Sequence, residues 1–342
     1  MRICSFVPSA TAILYALGLG DDLVGVSHAC VDPPAARRKA RVIRTVISQE
    51  RASSAAIDRA VRGSLARGSS LYRVDLPLLR RLRPDLVLTQ KLCEVCALSD
   101  ARAERALSAL PARPQVLALH PHTIKEMLEE IRLIGERTGR VERADALIHE
   151  FRARLWRVRE RLGRVTRRPR VFCLEWIEPP MAAGHWVPEM VERAGAREIL
   201  GRAGAPSRRV TWKEIAAAAP EVLVLMPCGF PIARTRRELP RLTAQPAWVT
   251  LPAVRAGRVY LVDGPAYFNG AGPRLIDGIE LLAGLCHPDR CRALMPATGV
   301  EPLEPGRGGV RRRGSAPSGT ARRDRARPRW ARPAARSRSR RG

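Results

Sequence analysis

The chain has 342 residues, 45% of them apolar, and a formal net charge of +28. That length and apolar share suit two ordinary domains with separate cores and exclude a wholly disordered protein. No run approaches 18 apolar residues without a charge, which argues against a membrane-spanning helix.

The chain opens on a short apolar strand, ICSFVPS (residues 3–9), which runs into the helical pattern TAILYALGL; LVGVSHA (23–29) reads as the second strand. Because the first strand begins almost at Met1 and Pro8 and Ser9 follow it, no cleaved export signal is read, and the expectation is a soluble, cytoplasmic chain. Eight Cys fit that reducing compartment as thiols or ligands rather than bridges. IDRAVRGSL and LPLLRRLR read as short helices, and DLVLTQ (85–90) and QVLALHP (115–121) complete a first parallel sheet of βα units. Thr123-x-x-Glu126 has capping-box spacing and opens a helix with apolar residues at 124, 127, 128, 131 and 134, closed by Gly139.

From 141 to 165 apolar residues recur at 141, 144, 148, 151, 155, 158, 162 and 165. One continuous helix of that length would extend roughly 37 Å at ~1.5 Å per residue, a spine between two bodies. The alternation then restarts with RVFCLEW (170–176), PEMVERAG, TWKEIAAAAP, EVLVLMP (221–227), a helix near 234–243, RVYLVDG (258–264) and PRLIDGIELLAGL (273–285). The expected layout is an N-terminal α/β lobe over 1–140, a linking helix over 141–166, a C-terminal α/β lobe over 167–297 and an Arg/Pro-rich tail over 298–342. From Glu301 onward fourteen Arg face only Glu301, Glu304 and Asp324, a net +11, and the tail is too poor in large apolar residues to offset ordering entropy. Trp330 is its only stacking group, so no specific nucleic-acid partner is expected.

Ligands of open parallel sheets collect beyond the carboxyl ends of the strands. In the first lobe those positions hold Pro8, Ser9, His28, Cys30, Gln90, Cys93 and Cys96; in the second they hold Glu175, Trp176, Met181, His185, Trp186, Cys228, Phe230, Tyr267, Phe268 and Asn269, with Trp212 placed to stack on a planar group. Cys30, Cys93, Cys96 and Cys228 lie in loops, where thiols suit a metal or an iron–sulfur cluster if they share one coordination sphere. Redox pairing and plain lining are the alternatives, although Cys93-x-x-Cys96 opens no obvious helix of the kind that lowers a thiol pKa. His120 and His122, flanking Pro121, read as solvated or capping residues, and His149 as a surface residue of the spine. Ser9, His28 and Asp32 stand at neighbouring exits, but no nucleophile elbow supports a hydrolase.

The segments SFVPSATAILYALGLGDDLVGVSHACVDPPAAR, LRPDLVLTQ, EPPMAAGHWVPEMVERAGAREIL, SRRVTWKEIAAAAPEVLVLMP and VYLVDGPAYFNGAGPRLIDGIELLAGL occur in order over about residues 2–290. Together they resemble the cobalamin/iron-siderophore substrate-binding proteins of ABC importers, in their vitamin B12 branch. The resemblance implies a class III periplasmic-binding-protein fold: two Rossmann-like lobes with parallel sheets joined by one long helix. It further implies a non-catalytic monomer that holds cobalamin, another corrinoid or a related small-molecule metal chelate between its lobes and passes it to an ABC permease, outside the cytoplasm. Positions matching the family's ligand contacts are Asp32 and Gln90 in the first lobe and Met181, Trp212, Tyr267 and Phe268 in the second. Its permease-docking acids correspond to Pro77, with Asp75 nearby, and to Glu214. A cytosolic metal or iron–sulfur protein using a Cys-lined cleft is the alternative reading.

Overall fold

The structure, a computed structural model, describes residues 1–47, 51–90, 107–108, 110–111 and 113–304. Among these, strands β1 (Ile3–Ser5), β2 (Leu23–Ser27), β3 (Ala40–Thr45), β4 (Tyr72–Val74), β5 (Leu86–Gln90) and β6 (Gln115–Leu119) form one sheet in the order β4-β3-β2-β1-β5-β6. All pairs are parallel except the edge pair of β3 with β4. β1 and β5 are buried almost throughout, as expected of strands covered on both faces. The covering helices are α1 (Pro8–Ala16), started by Pro8 in its first turn, α2 (Ser54–Ala66), capped by the Ser53 hydroxyl, and α3 (Leu76–Leu82), capped by the Asp75 carboxylate.

The predicted capping box is present: the Thr123 hydroxyl accepts from Glu126 N, and the Glu126 carboxylate accepts from the Thr123 amide, at the start of α4 (Ile124–Thr138). The spine follows as α5 (Val141–Leu162). It is shorter than the predicted 25 residues because Gly163 takes φ +54°, ψ −138° and turns the chain away, while Val165 still packs on the core. Val141 is exposed at the first turn, and the buried face runs through Ala144, Leu147, Ile148, Phe151, Arg154, Val158 and Leu162. A Cβ on Gly135 would stand 2.6 Å from the Ala144 Cβ, so a glycine is what lets α4 lie against α5.

The second sheet comprises β7 (Arg170–Trp176), β8 (Met181–Ala182), β9 (Arg197–Glu198), β10 (Arg208–Arg209), β11 (Val222–Leu225), β12 (Val259–Val262) and β13 (Val300–Pro302). Its order is β10-β8-β7-β11-β12-β13, with β9 beside the start of β7, and β7, β11 and β12 are parallel. β13 pairs antiparallel with β12, so residues 300–302, expected in the tail, extend the sheet instead. Their backbone pairing needs none of the apolar residues on which the prediction relied. The helices are α6 (Val187–Arg193), α7 (Trp212–Ala218), α8 (Ile232–Thr243), α9 (Pro252–Arg255), α10 (Gly264–Tyr267), α11 (Leu275–Cys286) and α12 (Pro288–Cys291). α7 has a second capping box, Thr211 with Glu214.

One apolar cluster runs from Ile3, Leu14 and Leu88 through Phe151 and Val158 of the spine to Met190, Phe268 and Ile279. The two lobes therefore share a core along α5 rather than swinging on a thin linker. At their joint the Arg154 guanidinium, on the buried face of α5, donates to both Glu280 oxygens (3.0 and 2.5 Å) and to Asp277 (2.5 Å) of α11.

Candidate functional site

The loops leaving the carboxyl ends of both sheets meet between the lobes. β1 ends beside its crossover switch, so α1 begins there and Ser9 lies in its first turn, 8% exposed. The chain over Gly270–Gly272 covers it: a Cβ on Gly272 would be 3.5 Å from the Ser9 Cα and carbonyl oxygen. Beside this contact Arg274 donates to Asp32 across the junction (3.2 Å), with its guanidinium 4.7 Å above the Tyr267 ring. At the far side, α2 meets α8. The Ser54 hydroxyl and amide donate to the buried Glu238 carboxylate (2.8 and 3.3 Å), Arg234 donates to the Ala52 carbonyl, and Arg209 pairs with Asp58 (2.9 Å). Charge pairs thus tie the lobes at both margins.

Between those margins, polar atoms are buried without a hydrogen-bond partner among the described residues: His28 Nδ1, Thr89 Oγ1, Trp176 Nε1, His185 Nδ1 and Asn269 Nδ2. All five belong to strand ends or the turns just beyond them, two in the first lobe and three in the second. An unpaired buried polar atom costs about 1–3 kcal/mol.

His28 is half-buried, its ring centroid 5.9 Å from that of Tyr72; burial and the Arg41 charge lower its pKa, which keeps the imidazole neutral and free to accept or ligate. Gln90 ends β5 half-buried, and Met181 is half-buried in β8. His185 adopts φ +52°, unusual for a non-glycine residue, and its pKa is lowered by burial and by neighbouring His122. Asn269 uses Oδ1 to accept from Gly229 N (3.0 Å) and leaves its amide nitrogen unpaired. Pro8 is exposed at the start of α1. Of these residues and Ser9, Ser9 meets the second lobe at Gly270–Gly272 and His185 meets the first at His122.

Others of the expected set are built into the core. Trp186 is 6% exposed and donates from Nε1 to the Phe268 carbonyl (2.8 Å); Phe268 is 1% exposed; Tyr267 donates its hydroxyl to the Thr298 carbonyl (2.7 Å). Trp212 packs against the second-lobe core, its ring edge-on to Trp248 at 6.4 Å. Glu214 pairs with Arg208, and its pKa is lowered by the Thr211 amide and by that arginine.

Of the four expected thiols, Cys30 and Cys228 lie within the described residues and belong to different lobes. Cys30 is sealed in the first-lobe core, contacted by the Thr11 and Ser27 hydroxyls at 3.0 and 3.2 Å, and burial raises its pKa, the opposite of what a thiolate ligand requires. Cys228 is half-buried in the second lobe, and Cys93 and Cys96 lie outside the described residues. Among the described residues no three His, Cys, Asp or Glu side chains form a group suited to a metal ion.

Further strand-exit residues, and contacts the sequence did not signal, are found in the same region. Trp176 and Phe230 face each other 5.2 Å apart, with Arg234 4.4 Å from the Phe230 ring. Glu175 is half-buried, accepts from Ser207, and has its pKa raised by burial. His122 approaches His185, and the charged clasps use Arg234, Glu238 and Arg274. Glu175, Trp176 and Phe230 are strand-exit positions and were expected as such. The clasps carry no such signal, because an Arg or Glu on an amphipathic helix looks solvated until its neighbour is known.

The sequence profile of the family described as periplasmic binding protein matches residues 3–266. The chain is 24% identical over 294 residues to an ABC transporter substrate-binding lipoprotein of Bacillus subtilis, covering 84% of this chain and 80% of that protein. It is 23% identical over 284 residues to a vitamin B12-binding protein of Vibrio cholerae, covering 82% of this chain and 86% of that protein. The solved structure of a periplasmic heme binding protein from Pseudomonas aeruginosa superposes with a TM-score of 0.66 at 20% identity, covering 89% of this chain and 95% of that one. No helix among the described residues is long and apolar enough to cross a membrane. The cytoplasmic expectation has no support in these likenesses, which are to periplasmic and lipoprotein binding proteins.

Proposed function

Because the chain belongs to the periplasmic binding protein family, we propose that it holds a planar metal chelate, a corrinoid or a related tetrapyrrole, between its lobes and delivers it to an ABC permease. The observation that carries this reading is the set of unpaired buried polar atoms at strand ends of both lobes, His28 Nδ1, Thr89 Oγ1, Trp176 Nε1, His185 Nδ1 and Asn269 Nδ2. A chelate rimmed by amide or carboxylate groups would pair with them, its flat face against the half-buried Trp176 and its metal within the range of a neutral imidazole. The B12-binding relative and the heme-binding structural neighbour support the same ligand class. The role is binding rather than catalysis, served by a monomer outside the cytoplasm, with Gln90, Met181 and Ser9 lining the ligand.

Purified chain titrated into hydroxocobalamin and, separately, into haemin tests this. The reading predicts a saturable shift of one chromophore's visible absorption at one equivalent, weakened by Trp176→Ala and by His185→Asn. No shift of either chromophore at micromolar concentrations would overturn it. The Cys-lined metal or iron–sulfur alternative is not carried forward, since Cys30 is enclosed by hydroxyls within the core.

A further inference from the structure

Three imidazoles form a chain across the junction at its spine side. His120 and His122 follow β6 in the first lobe; His185 follows β8 in the second. Ring centroids are 5.7 Å apart for His120–His122 and 5.6 Å for His122–His185. The two inner residues are half-buried, and His122 Nδ1 and His185 Nδ1 are both buried without a hydrogen-bond partner. Nothing in the proposed chelate site uses His122.

Capping does not account for the pair. The carboxylates around them are already engaged by backbone amides: Glu126 accepts from His122 N, Glu130 from His120 N and Glu189 from Ile124 N. Glu189 also pairs with Arg193, and Trp186 stacks 5.6 Å from the His185 ring. These contacts fix the backbone on both sides of the gap and leave the ring nitrogens unspent. His185 is moreover held at φ +52°, a conformation a non-glycine residue adopts when its surroundings impose it.

We infer that His122 and His185 bind a divalent d-block cation such as Zn²⁺, Co²⁺ or Ni²⁺ across the lobes, with His120 near enough to join on a small rotation. With metal–nitrogen bonds of about 2.1 Å, each ring centre lies roughly 3.2 Å from the ion, and two rings at a tetrahedral angle have centres about 5 Å apart. The observed 5.6 Å is within a side-chain adjustment of that value. Neutral imidazole suits these ions, and burial keeps His185 neutral. Two protein ligands leave positions for water or a small chelator, in keeping with the lack of a three-residue group among the described residues. The cation staples the lobes and shares His185 with the proposed chelate site, so it is held when no chelate is bound.

The test uses the tag-free full chain without chelate, titrated at pH 7.5 with CoCl₂ by visible absorption and with ZnCl₂ by calorimetry. One equivalent is expected to bind, with ligand-field bands and no thiolate charge-transfer band. His122→Gln and His185→Asn should each weaken binding about tenfold or more, whereas His149→Ala, on the exposed face of the spine, and the double Cys93→Ser, Cys96→Ser variant should leave it unchanged. Asn tolerates the left-handed backbone at 185, and His122→Gln decides the matter alone if the other variant fails to fold. Wild-type chain that binds no cobalt up to millimolar concentration, histidine variants that bind like wild type, or binding lost only with the cysteines would each overturn the inference. Because the proposed chelate site also uses His185, His122→Gln separates the two readings: it should weaken cobalt binding and leave the chromophore titration unchanged, and Trp176→Ala should do the reverse.

Discussion

Replacing Arg154 with Ala tests whether the two lobes are bolted together at the spine. The guanidinium donates three hydrogen bonds to two carboxylates, and the side chains involved are only 10–14% exposed. Burial disfavours the arginine's charge, but Glu280 and Asp277 more than compensate and hold its pKa above the ordinary value. Removing the cation leaves Glu280 without a counter-charge in a largely dry joint and Asp277 with only Arg274, 3.6 Å away. Breaking a buried pair in this way costs about 3–5 kcal/mol, a large part of the ~5–15 kcal/mol that holds a domain folded. Urea unfolding followed by circular dichroism should therefore show Arg154→Ala losing about 3–5 kcal/mol. Adding Asp277→Asn and Glu280→Gln to that variant should restore most of the loss, because no uncompensated charge then remains. A cost of only about 1 kcal/mol or less, the value of an exposed ion pair, would refute the view that this cluster is the rigid joint.

The remaining predictions concern the margins of the cleft and its acids. Glu238→Ala should leave the Ser54 amide and hydroxyl unpaired and speed hydrogen exchange at the start of α2 by about tenfold, as expected for losing a bond worth ~1–2 kcal/mol; unchanged exchange there would show that α2 is held by other means. Thr123→Ala should cost about 1 kcal/mol through loss of the capping box at α4, read from the unfolding midpoint. Burial raises the Glu130 pKa to about 7, above its ordinary value of 4.5. The folded state therefore holds a proton that the unfolded chain has lost between those pH values. That contribution to stability is present below about pH 4.5 and falls away as the pH rises towards 7. Glu130→Gln should flatten the decline, and an unaltered pH–stability curve would contradict the assignment.

The two-lobe architecture was legible because its signals are local and repeated. Apolar runs ending in Gly, Pro or His mark the parallel strands, Thr123-x-x-Glu126 marks the start of α4, and the 3/4 stripe marks α5. The spine's end was misplaced because Val165 continues the apolar period while Gly163 breaks the backbone. The strand-exit rule named Ser9 and His185, each of which touches the opposite lobe. It also swept in Tyr267, Phe268 and Trp186, which fill the core. An aromatic side chain beyond a strand can turn inward or outward, and alternation does not decide which. Cys30 illustrates the same limit: a loop position reads as accessible, yet the Ser27 and Thr11 hydroxyls enclose it. The inter-lobe clasps, Glu238 to Ser54 and Arg274 to Asp32, link residues 184 and 242 positions apart, a pairing no local pattern encodes.

The central claim, that one chelate is gripped by strand ends of both lobes, is tested most directly by hydrogen–deuterium exchange on the full chain with and without whichever of hydroxocobalamin and haemin shifts its spectrum. The account predicts slowed exchange at His28 and Gln90 in the first lobe together with His185 and Asn269 in the second, and little change at the opposite ends of the sheets. Protection confined to one lobe, or appearing away from the strand ends, would contradict it.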